Sequence, residues 1–249
     1  MQPIRVWVTP PGPNPWKIPF LLEELGLPYE IKSIKFDDVK KPPLIDLNPN
    51  GRVPVIEDPN TELTLWESGA IINYLIEQYD TEKTLTYTNL ADKHHLNQWL
   101  HFQTSGQGPY YGTSGWFINL HSEKVPSAIE RYTQQVRRVL GVLEGWLEGK
   151  QWLVGDKMTY ADMAWVPYND RVDMVLVGVS EADKFKDFPN VKAWHERMTS
   201  RPSWRRSMEI RAKLMDEQGL TPTGIPKGIA SFSEYEAKIK AGEDTTPKQ

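Results

Sequence analysis

The chain has 249 residues, with 29 Lys and Arg against 33 Asp and Glu, for a net charge of −4. That length carries a real core in one large or two small domains, and 39% hydrophobic with 25% charged residues excludes a disordered tail protein or a coiled coil. The slight acidic excess, with no basic stripe, excludes an ordinary nucleic-acid binder, and the lack of cysteine excludes a disulfide scaffold, a Cys-ligated zinc site and a catalytic thiol on the protein.

Ile4 to Val8 reads as a buried strand. Residues 9–15, with four prolines and a glycine, form a loop. Ile18, Leu21, Leu22 and Leu25 follow the spacing of an amphipathic helix that stops at Gly26 and Pro28. Tyr29 to Ile34 alternates as a second strand, and 37–50 reads as a loop with a short helix. Val53 to Glu57 and Leu63 to Trp66, joined by Asp58, Pro59 and Asn60, predict a hairpin. Ser68 then opens a helix with Ile71, Ile72, Leu75, Ile76 and Tyr79 inward. The order βαβ then ββα predicts a small mixed sheet with helices on its faces.

Everything after a polar stretch near residue 85 reads as helical. One long helix starts in 92–120, and an apolar stripe runs from Ile129 to Leu147. Further helices are expected over 159–176, 188–200 and from Pro202. Beyond residue 217 the chain turns to Gly, Pro, Lys and Glu and reads as an extended or partly mobile tail. The expected division is therefore 1–80, a linker 81–91, an all-helical domain 92–217 and a polar extension 218–249. No window is apolar enough to span a bilayer and the start reads as a strand, not a signal peptide. The expectation is a cytoplasmic protein with no membrane or nucleic-acid partner.

Residues 94–122 contain no Asp, Glu, Lys or Arg, where about seven would be expected. Two readings stand: a central helix buried on several sides, or a substrate cleft or subunit interface. Four Gly and a Pro disfavour a plain core helix and predict one that bends open, with Tyr110, Tyr111, Trp116 and Phe117 along it.

Asn14 lies in the loop after the first strand, a ligand position in α/β folds. It reads equally as an N-cap ahead of Pro15. Val53-Pro54 is either an edge proline or a cis-proline turn that frees the Val53 backbone for an extended ligand. Glu67-Ser68 is either a Ser N-cap with its neighbour, or a joint site for an amino-acid head group. In the second reading Glu67 pairs the ammonium, and Ser68 with the helix N-terminus holds the carboxylate. Thr159 to Asp162 reads as a capping box stapled by Met158 and Met163. The five histidines have no metal-ligand spacing, so no metal is expected.

Together these features resemble a glutathione transferase over residues 4–210. The first loop, Asn-Pro-Asn-Gly-Arg-Val-Pro-Val at 48–55 and Trp-Glu-Ser-Gly-Ala-Ile at 66–71 are similar to the thioredoxin-like glutathione domain. Pro13-Asn14 before Lys17-Ile18, Gln98-Trp99-Leu100 with Phe102-Gln103, Gly108-Pro109, Ile129 to Tyr132 and Trp152 to Asp156 resemble the fungal nitrogen-catabolite-regulator-like transferases and their bacterial nu-class relatives. The resemblance implies an α/β thioredoxin-like domain with a cis-proline, followed by an all-α domain carrying an acceptor cleft and dimer contacts. It implies reduced glutathione as cosubstrate, with no permanently bound cofactor, and a homodimer.

By the same resemblance Asn14 faces the glutathione sulfur, the Val53 backbone before cis Pro54 holds the cysteinyl part, and Glu67 and Ser68 hold the γ-glutamyl end. Arg131 reaches the partner subunit's glutathione. Position 39, often Gln or His in the family, is Val39, so Lys40, Lys41 or Arg52 is the candidate for the glycyl carboxylate. The stretch from Tyr110 to Ser114 departs from the commonest cleft sequence and leaves the acceptor open: a small hydrophobic electrophile, a disulfide or a peroxide. A thiol near pKa 8.5 is mostly protonated at pH 7, and lowering it to about 7 takes roughly 2 kcal/mol. One hydrogen bond to the anion supplies about 1.5–3 kcal/mol. The alternative is a non-catalytic ligand-binding or regulatory protein on the same fold. Regulators of that type carry a long polar Asn-rich extension ahead of the first strand, and this chain opens on the strand itself.

Overall fold

The computed structural model describes residues 1–243 and 245. Strand β1 (Ile4–Val8) pairs in parallel with β2 (Tyr29–Ser33) and antiparallel with β3 (Val55–Asp58), which pairs antiparallel with β4 (Leu63–Trp66), giving the order β2-β1-β3-β4. This is the mixed sheet that the alternation predicts. The pleat sorts its residues: Val6 and Ile56 are register partners on one face, Trp7 and Val55 on the other. The first face meets helices α1 (Lys17–Glu24) and α3 (Ser68–Tyr79) through Leu21, Leu22, Ile71 and Leu75. The second is covered by the short α2 (Leu44–Leu47), whose Leu44 packs with Ile34 and Val55. Strand β3 starts two residues later than its β-branched run suggests, because the Val53-Pro54 bond is cis and Val53 stays outside the ladder.

The helical part comprises α4 (Leu90–Phe102), α5 (Gly108–Gly115), α6 (Pro126–Trp146), α7 (Tyr160–Asn169), α8 (Pro189–Thr199), α9 (Pro202–Glu217) and α10 (Phe232–Ala241). The expected helix over 159–176 ends at Asn169 and continues as turns with a 3-10 segment, Val172–Met174. Between α4 and α5, Gln103–Gln107 is π-helical, as is Trp116–Leu120 after α5. The Gly- and Pro-rich stretch therefore stays helical and takes up its irregularity as two wide turns. The tail is not extended throughout either. Ser231 accepts a hydrogen bond from the Glu234 N–H at 3.2 Å and so caps α10, while Ile225, Phe232 and Tyr235 form a small core of their own.

Helix α7 is buried along nearly its whole length at the centre. Its start is the predicted capping box: the Thr159 N–H donates to Asp162 Oδ2 at 3.0 Å. The other oxygen, Oδ1, accepts from the Leu153 N–H and the Trp194 indole, both at 2.9 Å. One continuous apolar cluster runs from Ile4 in the sheet through Trp165 in α7 to Trp204 in α9. The two halves are thus joined by core, not by a hinge.

The rim of that joint is ionic. The Arg201 guanidinium forks onto Glu24 at 2.6 and 2.9 Å, the Ser203 hydroxyl also donates to Glu24, and Arg206 reaches Glu23 at 2.5 Å. Burial alone would raise the Glu24 carboxyl, but the Arg201 and Ser203 hydrogen bonds outweigh it and hold the group below its ordinary 4.5. A depressed carboxylate stabilises the fold above the unfolded value, and that contribution is lost as pH falls through the folded one. Glu24→Gln is expected to lower stability at neutral pH by about 1–2 kcal/mol and to flatten the fall in melting temperature below pH 4.5. Melting curves against pH check both; parallel curves for wild type and variant would reject the assignment.

Candidate functional site

The loop after β1 folds into a 3-10 turn, Asn14–Trp16, that runs straight into α1. Pro13 and not Asn14 occupies the cap position, and no side chain caps the turn. This settles the open reading of Asn14 as an N-cap: its carboxamide is spent elsewhere. Nδ2 donates to the Val53 carbonyl at 3.4 Å, and Oδ1 accepts from the Ser68 hydroxyl at 3.3 Å. Residues from three separate segments thus converge at one point.

Val53 is presented by a built loop. Asn48 Oδ1 accepts from the Asn50 N–H at 2.9 Å, and Asn48 Nδ2 donates to the Arg52 carbonyl at 2.8 Å. Gly51 has φ +60°, and a Cβ there would meet the Val39 carbonyl at 3.2 Å, so only glycine fits the turn.

Glu67, rather than Ser68, is the N-cap residue of α3, and its backbone sits at φ +70°, ψ 112°. A non-glycine residue held there costs about 1–3 kcal/mol, a signature of functional geometry. Its carbonyl still accepts the first helical hydrogen bond, from Ile71 at 2.9 Å, while its carboxylate stays exposed. Ser68 is buried at 3% exposure. An exposed carboxylate beside a helix N-terminus, with a hydroxyl in the first turn, is matched to a zwitterionic α-amino carboxylate.

Beneath Ser68 lies a side chain whose role the sequence analysis did not identify. Lys17, the first residue of α1, is 2% exposed. Its ammonium donates to Ser68 Oγ at 3.1 Å and to Gln103 Oε1 at 2.5 Å, and stands 5.4 Å from the Tyr168 ring centre. Burial pushes its pKa down to about 7, against a smaller opposing pull from Glu67. The hydrogen bonds continue from Gln103 to Gln107 at 2.9 Å and from Gln107 to Asn169 at 2.9 Å. Tyr111 donates to the same Asn169 oxygen at 3.1 Å. A signal existed: Lys17 is in phase with Phe20 and Leu21 on the inner face of its helix, and Gln103 and Gln107 are spaced i, i+4 in the uncharged stretch.

Tyr111 also lines a cavity of about 290 Å³ beside the Asn14 loop. Pro11, Gly12 and Pro13 wall one side, Tyr111 and Trp116 another, and Tyr168 and Arg171 the floor. The uncharged stretch is buried on one side and lines the cavity on another: Gln103, Gln107 and Ser114 are fully buried while Tyr111, Gly112, Gly115 and Trp116 face the cavity. Two of the four expected cleft residues are elsewhere. Tyr110 turns to α6 beneath Arg138, 5.7 Å away, and Phe117 stacks on Tyr132 and His121. Helical spacing explains this, because residues one apart point in different directions.

The roof of the cavity is the chain beyond residue 217. Phe232 of α10 packs edge-on against Trp116 at 5.3 Å and Phe36 at 5.9 Å. The Tyr235 hydroxyl donates to Asp37, which also accepts from Thr245 at 3.2 Å. Arg171 donates to the Pro222 carbonyl at 2.7 Å.

Of the remaining candidates, Lys41 pairs with Asp38 at 2.9 Å. Lys40 is exposed, with its stem near Gly51, next to the exposed Arg52. Arg131 lies on the exposed face of α6 and joins none of the contacts around Asn14. Among the described residues no group of three His, Asp or Glu is placed to hold a metal, and no helix is long and apolar enough to cross a membrane.

Known proteins are similar to this chain in sequence and fold. The family model of the glutathione S-transferase N-terminal domain matches residues 2–77, and that of the C-terminal domain matches residues 110–202. The chain is 46% identical over 210 residues to the glutathione S-transferase-like protein gedE of Aspergillus terreus, covering 81% of this chain and 92% of that one. It superposes with a TM-score of 0.81, at 39% identity, on the glutathione transferase URE2P8 of Phanerochaete chrysosporium, crystallised with oxidized glutathione; 87% of this chain and 98% of that one are covered. Ure2p5 of the same fungus, cocrystallised with 1-(S-glutathionyl)-2,4-dinitrobenzene, gives 0.79 at 38% identity, with the same 87% and 98% covered. The chain belongs to the glutathione S-transferase family.

The roof generates a prediction. Gly224 has φ +89°, and a Cβ there would stand 2.6 Å from Pro11 Cβ. Gly224→Ala is expected to lift the segment beyond residue 217 from the cavity while leaving the main core within about 0.5 kcal/mol of wild-type stability. Limited proteolysis should then cut that segment several times faster, with a red-shifted Trp116 fluorescence. Equal cleavage rates would contradict this docking.

Proposed function

We propose that this family member is a catalytic glutathione transferase that binds reduced glutathione over the N-terminus of α3, stabilises its thiolate with Asn14, and delivers it to an acceptor in the roofed cavity. The observation that carries the reading is the state of Asn14. Its amide is released from capping and held by Val53 and Ser68 at the start of α3, directly after Pro13, which lines the apolar cavity. In this reading residues 1–80 hold glutathione, 92–217 supply the acceptor side, and 218–243 complete it.

Glu67 pairs the γ-glutamyl ammonium, the backbone N–H of Ser68 and its neighbours at the start of α3 take the carboxylate, and the Val53 backbone before Pro54 pairs with the cysteinyl unit. Lys40 and Arg52 flank one loop and serve the glycyl carboxylate; Lys41 is committed to Asp38. With the thiol at about pKa 7, half is nucleophilic at neutral pH, and its proton leaves to water. The sulfur then attacks either an electrophilic carbon, displacing its leaving group, or a disulfide sulfur, displacing a thiolate. The aromatic walls and the single guanidinium of Arg171 favour a small, largely apolar acceptor.

Asn14→Ala is expected to raise the thiol pKa of bound glutathione by about one unit and to lower turnover at pH 7 roughly tenfold, with the loss shrinking as pH rises. The thiolate absorbance of the complex against pH measures this. Superimposed titrations for wild type and variant would reject the catalytic role and favour a ligand-binding protein. The assembly in this reading is a homodimer: Trp66, Val142 and Trp146 are exposed at 38%, 41% and 39%, away from the cavity, and Arg131 is exposed on α6, the helix that carries Val142 and Trp146. Sedimentation at micromolar concentration should give twice the 28.7 kDa chain mass; a single species of chain mass would refute it.

A further inference from the structure

The hydrogen bonds around Lys17 all run in one direction. An ammonium has three donors and no acceptor, and the neutral amine still has two N–H groups, one for each partner of Lys17. Lys17 gives one to Ser68 Oγ at 3.1 Å and one to Gln103 Oε1 at 2.5 Å. Because a lone pair of Ser68 Oγ is occupied by Lys17, the hydroxyl hydrogen turns away, to Asn14 Oδ1 at 3.3 Å. Because Asn14 Oδ1 is then an acceptor, the other edge of the carboxamide carries the N–H groups. One of them meets the Val53 carbonyl at 3.4 Å, and the second is left for the cleft. On the other branch Gln103 presents its oxygen to Lys17 and so donates to Gln107, which donates to Asn169 at the acceptor side.

Packing alone gives no reason for a lysine here. A buried cation is costly unless paired, and among the described residues no carboxylate lies within ion-pair distance of it; Glu67 acts on it only through space. A methionine of similar volume would fill the same position.

We propose that Lys17 is the positioning residue of the thiol site: the N–H groups it gives to Ser68 and Gln103 fix the Ser68 hydroxyl and, through it, the Asn14 carboxamide with its N–H edge toward the glutathione sulfur. Without that fixed donor the Ser68 hydroxyl rotates freely and the carboxamide flips, turning an oxygen toward an anion. The inference rests on the reading of Asn14 as thiolate stabiliser and adds the residue that holds it in register.

The test is a cycle of Lys17→Met, Asn14→Ala and the double variant, each saturated with glutathione, read by the pH titration of the bound thiolate. Lys17→Met is expected to raise the thiol pKa and to lower turnover at pH 7 about tenfold, with the KM for glutathione changed less than about threefold. The double variant should be no worse than Asn14→Ala alone. Losses that multiply would mean that Lys17 acts as a charge across space, and would overturn the proposal. So would a Lys17→Met titration that matches wild type. If Asn14→Ala itself leaves the thiol pKa unchanged, the parent reading of Asn14 fails, and this inference with it. Ser68→Ala keeps Lys17 in place and removes only the relaying hydroxyl, so it serves if Lys17→Met does not fold. It too should raise the thiol pKa at saturation, and an unchanged value would overturn the relay.

Discussion

A lysine ammonium sealed between the two halves of the molecule is the constraint around which the rest is arranged. Effective penalties for burying an ion amount to several kcal/mol, and Lys17 meets its own with hydrogen bonds from both halves: Ser68 at the start of α3 and Gln103 in the π-helical turn after α4. Those partners fix where α3 stands relative to the long uncharged helix. Gly69, next to Ser68, lies so close to Thr104 that a Cβ would sit 3.3 Å from its methyl. The apolar core through α1, α7 and α9 supplies the bulk of the adhesion between the halves, and the Lys17 seam supplies its register.

That seam also separates two environments within a few residues of chain. On one side are helix N–H groups, an exposed carboxylate and a strained backbone at Glu67, all suited to a charged peptide-like ligand. On the other is an aromatic cavity whose polar groups are few. The two π-helical turns bracket α5 and let Tyr111 and Trp116 face the cavity while Gln103 and Gln107 face the seam. A regular helix of the same length would not divide its faces in this way.

Much of this was legible in the sequence. The small mixed sheet followed from periodicity and element order, since β-branched runs broken by turn residues have few ways to pack. The capping box at Thr159 was readable because it is local. The resemblance singled out Asn14, Val53 and Ser68, and the fold brings these three into contact. Other features depend on contacts that a linear pattern does not carry. The phase of Lys17 with Phe20 and Leu21 hints at burial, but its partner Gln103 lies 86 residues away and no linear pattern joins them. Tyr110 and Phe117 were grouped with Tyr111 and Trp116 by composition, although helical rotation separates the pairs. The stretch beyond residue 217 looks like tail because its Gly and Pro content is high. Its order comes from docking on Asp37, Phe36 and Trp116, none of which is near it in sequence.

The roof differs from the rest in how it is attached. It has its own small core of Ile225, Phe232 and Tyr235 and contributes nothing to the cluster that joins sheet and helices. Helix α10 touches none of the contacts among Asn14, Ser68 and Lys17. On the proposed function, a substitution in α10 alters the shape offered to an acceptor and leaves the groups assigned to the sulfur where they are. On that reading the acceptor range can drift over generations faster than the use of glutathione, because the two depend on physically separate parts of one chain.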